Sequence, residues 1–332
     1  MTTLIIALFS GCLGLAGAWA VNRYGARWGL IDVPNHRSSH TEPVPKGGGV
    51  GITAALAWCA WMSGIPFLFW GSAVVLSTIS LVGDIRDFPA SIRLILQCVI
   101  AFVALCALSA EIHGALLIIC VVIVVGTANC YNFMDGINGI AGITGILGFG
   151  LLYVYGSLNQ CDVRFVTLAL AMALACLGFL PFNFPRARVF MGDAGSIVLG
   201  FTFACIMIVF SHDISDVLVM AGFLFPFYMD ELFTMSVRIR NGENLMQAHR
   251  THVYQYLVNE LGIDHWKIAM AFGMLQLMVG GGLLMLRDAG PGHIAGFWAA
   301  CIILSGMIGN RIRTQAHRIC APGIQNDLEN SY

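Results

Sequence analysis

Apolar runs about as long as a bilayer is thick recur through this chain from end to end. A spanning helix needs about 20 apolar residues. Such runs fall at 2–21, 48–64, 66–83, 92–109, 112–128, 137–156, 164–182, 195–211, 216–237, 266–286 and 292–310. They predict about eleven spans, or ten if the second and third fuse. A closed β-barrel is excluded, because the runs are about twice the length of a membrane strand. Only 11% of the 332 residues are charged and 58% are hydrophobic, against roughly 25% charged in soluble domains. The expected fold is all-α, a polytopic transmembrane helical bundle of about 10–11 spans. No internal repeat or linker divides it, so residues 1–332 read as one domain.

The charges then sort by side. Of 17 Lys and Arg, only Arg164 and Arg287 fall on one face and the remainder on the other. With an odd number of spans the termini lie on opposite faces. The positive-inside rule makes the Arg-rich face, with Arg311, Arg313 and Arg318, cytoplasmic and the N-terminus periplasmic. The first run has no Lys or Arg before it and Arg23 and Arg27 after it, the polarity of an uncleaved first helix rather than a signal peptide. The formal net charge of −1 carries little information. The 11 cysteines sit mostly inside apolar runs, Cys161 excepted, and none has metal-ligand spacing, so they read as small packing side chains.

The basic face also collects every chemistry-bearing segment: PNHRSSHTEPVPKGGG, GDIRD, NCYNFMDGING, RVFMGDAGS and AHRTHVYQ. Asp84, Asp135 and Asp193 each sit beside glycine at the mouth of a span. Such carboxylates can converge on a hard cation such as Mg²⁺, which takes oxygen ligands and shares them with phosphate. An Asp before a helix also serves as an N-cap; for one acid alone capping is the better reading, and three in one context favour the cation. Asn129 and Asn132 add amide oxygens beside Asp135. Arg93, at the start of the fourth span, suits bidentate phosphate contact. His249, Arg250 and His252 form a loop on the same face, read either as phosphate contacts or as a solvated interfacial loop. The Lys46–Gly51 run offers an anion cradle of backbone N–H groups or a plain re-entry turn. Asp230 lies near the inner end of an apolar run, where a carboxylate must be paired or face water; it reads as a pocket residue, and Glu231 as an interfacial one.

Together these segments resemble the polyprenyl-phosphate N-acetylhexosamine-1-phosphate transferase superfamily, glycosyltransferase family 4, and within it the bacterial branch that initiates O-antigen and related surface polysaccharides. The similarity runs from Gly29 to about Leu257, carried most specifically by NCYNFMDGINGIAG with RVFMGDAGS; IDVPNHRSSHTEPVPKGGG and NGENLMQAHRTHVYQYL point to the branch. The resemblance implies Mg²⁺, or Mn²⁺ in its place, with Asn132 and Asp193 as ligands. It implies catalytic roles for Asp84, Asp135, Asp193, His249 and His252, with Asp135 at the nucleotide-sugar end. It implies phosphate contacts from Arg93 and Arg250; Lys46, Asp87, Asn129, Asn132, Asn138 and Asp230 are the further substrate contacts expected from their places in these segments. The partners it implies are a UDP-N-acetylhexosamine, undecaprenyl phosphate, membrane lipid and a second copy of the chain. The setting it implies is the bacterial inner membrane with a cytoplasmic site; no nucleic-acid partner is expected.

This chain departs from the family pattern twice. Gly83-Asp84 stands where paired aspartates are usual, with Asp87 as the available substitute, and Asn138 stands where the DGxDG element carries its second Asp. The implied reaction tolerates both, since a phosphomonoester has its second pKa near 6 and attacks a UDP-sugar with little help from a base. Three other readings compete: a transporter or flippase, phospho-muramoyl-pentapeptide translocase, and an inactive scaffold. A transporter places ionisable groups near the midplane, and here they gather at one end. The AHRTH loop and the PNHRSSH segment argue against the translocase, and Gly83 and Asn138 keep the scaffold in view.

Overall fold

The computed structural model describes residues 2–34, 39–85, 88–108, 112–245 and 249–329. Its helices are α1 (Thr2–Tyr24), α2 (Val50–Met62), α3 (Phe67–Ile85), α4 (Ala90–Leu108), α5 (Gly114–Phe133), α6 (Ile140–Leu158), α7 (Val163–Phe179), α8 (Asp193–Phe210), α9 (Ile214–Ala221), α10 (Phe225–Arg240), α11 (Val253–Gln255), α12 (His265–Met285) and α13 (Pro291–Glu329). Two-residue strands β1 (Ile31–Asp32) and β2 (Val44–Pro45) pair antiparallel, Ile31 opposite Pro45 and Asp32 opposite Val44. The chain is an all-α polytopic membrane bundle.

Among the described residues, ten helical segments are long and apolar enough to cross a bilayer, with Ile214–Arg240 counted as one. α2 is shorter, at 13 residues, a rise of about 20 Å. Its ends nevertheless lie at opposite ends of the bundle. Lys46, before it, is 3.6 Å from Asp84 at the end of α3; the Gly64 carbonyl, after it, accepts from Arg164 at the start of α7 (3.5 Å). The extended stretch before α2 completes the path, so the 48–64 run is a separate leg with a short helix. The Gly48 and Gly49 N–H groups donate to the Phe190 and Met191 carbonyls, both at 2.9 Å. That pairing removes two donors from the anion cradle weighed for the glycine run and gives them a packing role instead.

α8 forms the centre, with nearly every residue from Ala194 to Met207 buried. Its first turn meets the glycine run so closely that a Cβ on Gly49 would lie 2.2 Å from the Gly195 Cα. Only glycine permits that approach, and it brings Asp193 to the cavity that Lys46 and Asp84 also line. Small residues let backbones approach in lipid, where packing replaces the hydrophobic drive. The α9–α10 span breaks at a 3₁₀ turn, Gly222–Leu224, just before Pro226 in the first turn of α10. The carbonyl this frees at Phe223 accepts from the Gln276 amide at 2.7 Å, and the same amide donates to Thr144 at 3.0 Å. A backbone group in hydrocarbon needs such a partner.

Candidate functional site

The legs alternate in direction, so the ends of α3, α5 and α10 and the starts of α4, α6, α8 and α12 meet at one end of the bundle. There a polar cavity of about 320 Å³ is lined by Asp32, Ser39, His40, Lys46, Asp84, Asn132, Asp135, Asn183, Phe190, Asp193 and Gln255, among others. A second, larger cavity of about 720 Å³ runs between α4, α5 and α10. Its wall is Leu94, Cys98, Val122, Val125, Gly126, Ile197 and Met235, with Arg93, Gln97, Asn129, Arg238, His249 and His252 as its polar members. Asn132 and Gln255 line both. From Phe133 back to Val122 is eleven residues of α5, so this groove extends about 16 Å along the helix, and Val122 at 65% exposure opens it toward lipid.

Asp193 sits at the junction as the first residue of α8. Its Oδ1 accepts from Asn132 Nδ2 at 2.9 Å and its Oδ2 from Arg93 Nη1 at 3.4 Å. Asn132 also donates to Ser196 Oγ at 2.9 Å. Asp84 faces Lys46 through Oδ1 (3.6 Å), while its Oδ2 is buried and has no hydrogen-bond partner among the described residues. Gly192 makes room for that oxygen: a Cβ there would lie 3.0 Å from it and 2.8 Å from the Gly47 nitrogen, at a φ of +73°. Burial, then the nearby Asp193 and Asp84 carboxylates, push the Asp135 carboxyl well above the usual range.

Three carboxylates and an amide around one cavity form an all-oxygen donor set, the kind Mg²⁺ takes. Among the described residues no three His, Cys, Asp or Glu converge as an all-protein metal cage. Mg²⁺ commonly binds through one or two carboxylates and completes its shell with substrate phosphate and water. The unpartnered Asp84 oxygen beside two further acids fits a cation shared in that way.

The histidine loop lies over the other side of the junction. Asp230 holds it: its two oxygens accept from the Val253 and Tyr254 N–H groups at 2.8 and 3.0 Å, and Thr234 Oγ1 adds a third bond at 3.2 Å. His252 is 2% exposed, with Nδ1 3.5 Å from Asp230 and Nε2 3.5 Å from Glu231. Its ring centroid is 4.8 Å from that of His249. Burial, then His252 and Arg238, lower His249 to about 4, so its imidazole is neutral at ordinary pH. The Tyr254 hydroxyl donates to the Phe133 carbonyl at 3.1 Å and ties the loop to the end of α5.

The structure thus brings Lys46, Asp84, Asn132, Asp135 and Asp193 to the polar cavity, and Arg93, Asn129, Asn132, His249 and His252 to the groove. Asp230, expected in a substrate pocket, lines neither cavity; both of its oxygens are taken by the loop it braces. Glu231, expected at the interface, is 8% exposed beside His252. Arg250 is not on either cavity wall and approaches Glu260 at 3.9 Å. Asn138 is engaged through its backbone N–H, which donates to His265 Nδ1 at 3.3 Å. Asp87 lies outside the described residues. Sequence reasoning missed Gln97, whose Oε1 accepts from Asn129 Nδ2 at 2.6 Å; a lone amide inside an apolar span was the available signal. It also missed Arg238 as a groove residue, and Gln255.

At one end of the helical bundle an acidic cavity thus adjoins an apolar groove, with Asn132 and Gln255 on the walls of both. Residues 66–211 match the glycosyl transferase family 4 model. A decaprenyl-phosphate N-acetylglucosaminephosphotransferase of Mycobacterium leprae is 26% identical, covering 92% of this chain and 87% of its own. An undecaprenyl-phosphate alpha-N-acetylglucosaminyl 1-phosphate transferase of Thermotoga maritima is 27% identical over 75% of this chain and 79% of its own. A phospho-N-acetylmuramoyl-pentapeptide-transferase of Staphylococcus saprophyticus is 30% identical over 47% of this chain and 49% of its own. The chain is thus similar, along most of its length, to polyprenyl-phosphate N-acetylglucosamine-1-phosphate transferases, and in its central part to glycosyl transferase family 4.

Proposed function

We propose that this protein transfers an N-acetylhexosamine-1-phosphate from a UDP-sugar to undecaprenyl phosphate at the cytoplasmic face of the bacterial inner membrane, initiating O-antigen or a related surface polysaccharide. The observation that carries this reading is the sharing of Asn132 and Gln255 by the polar cavity and the lipid-facing groove. A nucleotide sugar enters the first from water, the isoprenoid lies in the second, and their phosphates meet at Asn132. The concentration of Lys and Arg at the site end supports a cytoplasmic orientation. The N-acetylglucosamine phosphotransferase relative from M. leprae aligns along nine-tenths of the chain and the pentapeptide transferase along about half, which favours the simpler sugar donor.

In the reaction an oxygen of the lipid phosphate attacks the β-phosphorus of the donor. The bond from that phosphorus to the oxygen bridging it to the α-phosphorus breaks, and UMP leaves with that oxygen. The summed charge of the dianionic phosphomonoester and the UDP-sugar equals that of the lipid-linked diphosphate sugar and UMP, so no net proton is needed. What the protein supplies is alignment and charge neutralisation. Arg93 and the His249–His252 loop face the lipid phosphate at the mouth of the groove. Lys46 holds Asp84 on the wall facing the donor. Asp193 orients Arg93 and Asn132 through its two oxygens. Asp193 and Asn132, with the buried oxygen of Asp84 beside them, would hold Mg²⁺ (or Mn²⁺) together with substrate phosphate, and the ion when bound would neutralise diphosphate charge.

The test is purified protein in detergent with undecaprenyl phosphate and a panel of UDP-N-acetylhexosamines, the lipid product being identified by mass spectrometry. A lipid-linked diphosphate sugar from one donor names the substrate. No product from any donor, with folded protein, overturns the reading.

A further inference from the structure

We infer that Gln255 is a further catalytic residue, whose side-chain amide donates a hydrogen bond to the phosphoryl group as it passes between the two cavities. The inference rests on the transfer reaction proposed above and adds a residue to it. Apart from Asn132, Gln255 is the side chain common to the walls of both cavities as described. These two amides therefore stand where the donor-side cavity and the lipid-side groove adjoin. Asn132 is committed through its nitrogen to Asp193 and Ser196. Gln255 has the complementary commitment.

Its Oε1 accepts from the His252 backbone N–H at 3.3 Å. A backbone N–H can only donate, so this bond fixes which end of the amide is oxygen. The nitrogen therefore points away from His252, and it reaches the Tyr254 hydroxyl. An amide nitrogen carries two N–H bonds, so a second donor is left over at a position lining the junction. The backbone beneath it is held firmly. Asp230 takes the N–H groups of Val253 and Tyr254, and Tyr254 is bonded to the end of α5. A donor fixed before the reaction and aimed where charge develops lowers the barrier without reorganising. Being neutral, it leaves the affinity of either anion largely unchanged, and its effect falls on kcat more than on KM.

Three substitutions separate this role from a structural one. Gln255→Glu keeps the oxygen that caps the His252 N–H and removes the donor. Gln255→Met removes both, and Gln255→His restores a ring N–H donor. The measurements are kcat and KM for UMP release with each substrate, together with the thermal midpoint of each variant. The expected result is a 10²- to 10³-fold loss of kcat in the Glu and Met variants alike, the scale of a lost oxyanion donor. KM should stay within about threefold and the His variant should recover at least tenfold over Met, both consistent with a donor effect. A Glu variant with near-normal kcat beside a crippled, destabilised Met variant would show that Gln255 only caps the loop, and would overturn the inference. Wild-type protein that releases no UMP from any UDP-N-acetylhexosamine refutes the underlying reaction instead, so the two failures are distinguishable.

Discussion

Replacing Asp230 by alanine should unlatch the histidine loop while leaving the membrane bundle folded. Asp230 is 5% exposed, and its two oxygens accept from the Val253 and Tyr254 N–H groups at 2.8 and 3.0 Å. Alanine leaves both donors without an acceptor, and an unsatisfied buried donor costs about 1–3 kcal/mol. The sum is about 2–6 kcal/mol against the docked loop. Even the low end lowers the docked-to-undocked ratio roughly 30-fold, at about 1.4 kcal/mol per factor of ten. Undocking carries His249, His252 and Gln255 away from the groove, so kcat/KM for undecaprenyl phosphate should fall with the docked fraction, by at most the factor in the ratio. Asp230→Asn retains one carbonyl oxygen and should lose about half as much in free energy. Hydrogen exchange by mass spectrometry reads the loop directly: peptides covering Val253 and Tyr254 should exchange faster in the alanine variant, and those in α8 should not. Lost activity with unchanged exchange over the loop would refute the reasoning and place Asp230 in contact with substrate.

Further outcomes follow from other parts of the site. Gly192→Ala should abolish most UMP release at modest cost to the thermal midpoint: its backbone conformation is nearly confined to glycine, at about 1–3 kcal/mol for other residues, and the new Cβ would meet Asp84 and Gly47 at 3.0 and 2.8 Å. Gly83→Asp should fold normally, because a Cβ there meets only Phe88 Cδ2 at 3.6 Å, and its UMP release should equal wild type, the departure costing no essential group; release well above wild type would show that the missing acid matters. Because His249 titrates near 4 when folded against an ordinary 6.5, the unfolded chain takes up the proton first. Stability should therefore decline as pH falls from about 6.5 to about 4, and His249→Gln should lose less than wild type when thermal midpoints are compared across that range.

The length of the apolar runs fixes the helical bundle, and the gathering of polar segments at alternate helix ends marks the end of the bundle that carries the site. Both signals are local in sequence and large in energy. The three glycine-flanked acids are legible for the same reason, since a carboxylate at a span mouth has few ways to be tolerated. What sequence does not reveal is direction. Asp230 is buried as its position in an apolar run requires, but only the packed fold shows its oxygens turned to the loop backbone rather than to a cavity. The glycine run reads equally as an anion cradle or a turn until Phe190 and Met191 are seen accepting its N–H groups. Arg250 and Gln255 lie five residues apart in one loop, and the fold alone puts the amide on the cavity walls and the guanidinium beside Glu260. Gln97 is visible as a lone amide in a span, but its partner Asn129 lies on another helix.

The central claim is that phosphoryl transfer occurs where the acidic cavity meets the groove, around Asp193. The most direct measurement is UMP release from the best UDP-N-acetylhexosamine with undecaprenyl phosphate, with and without Mg²⁺, for wild type and Asp193→Asn. The account predicts Mg²⁺-dependent release by wild type and a loss of at least about 10²-fold in the variant, which keeps the shape but removes the charge that orients Arg93 and Asn132. Near-normal release by Asp193→Asn in folded protein would contradict it.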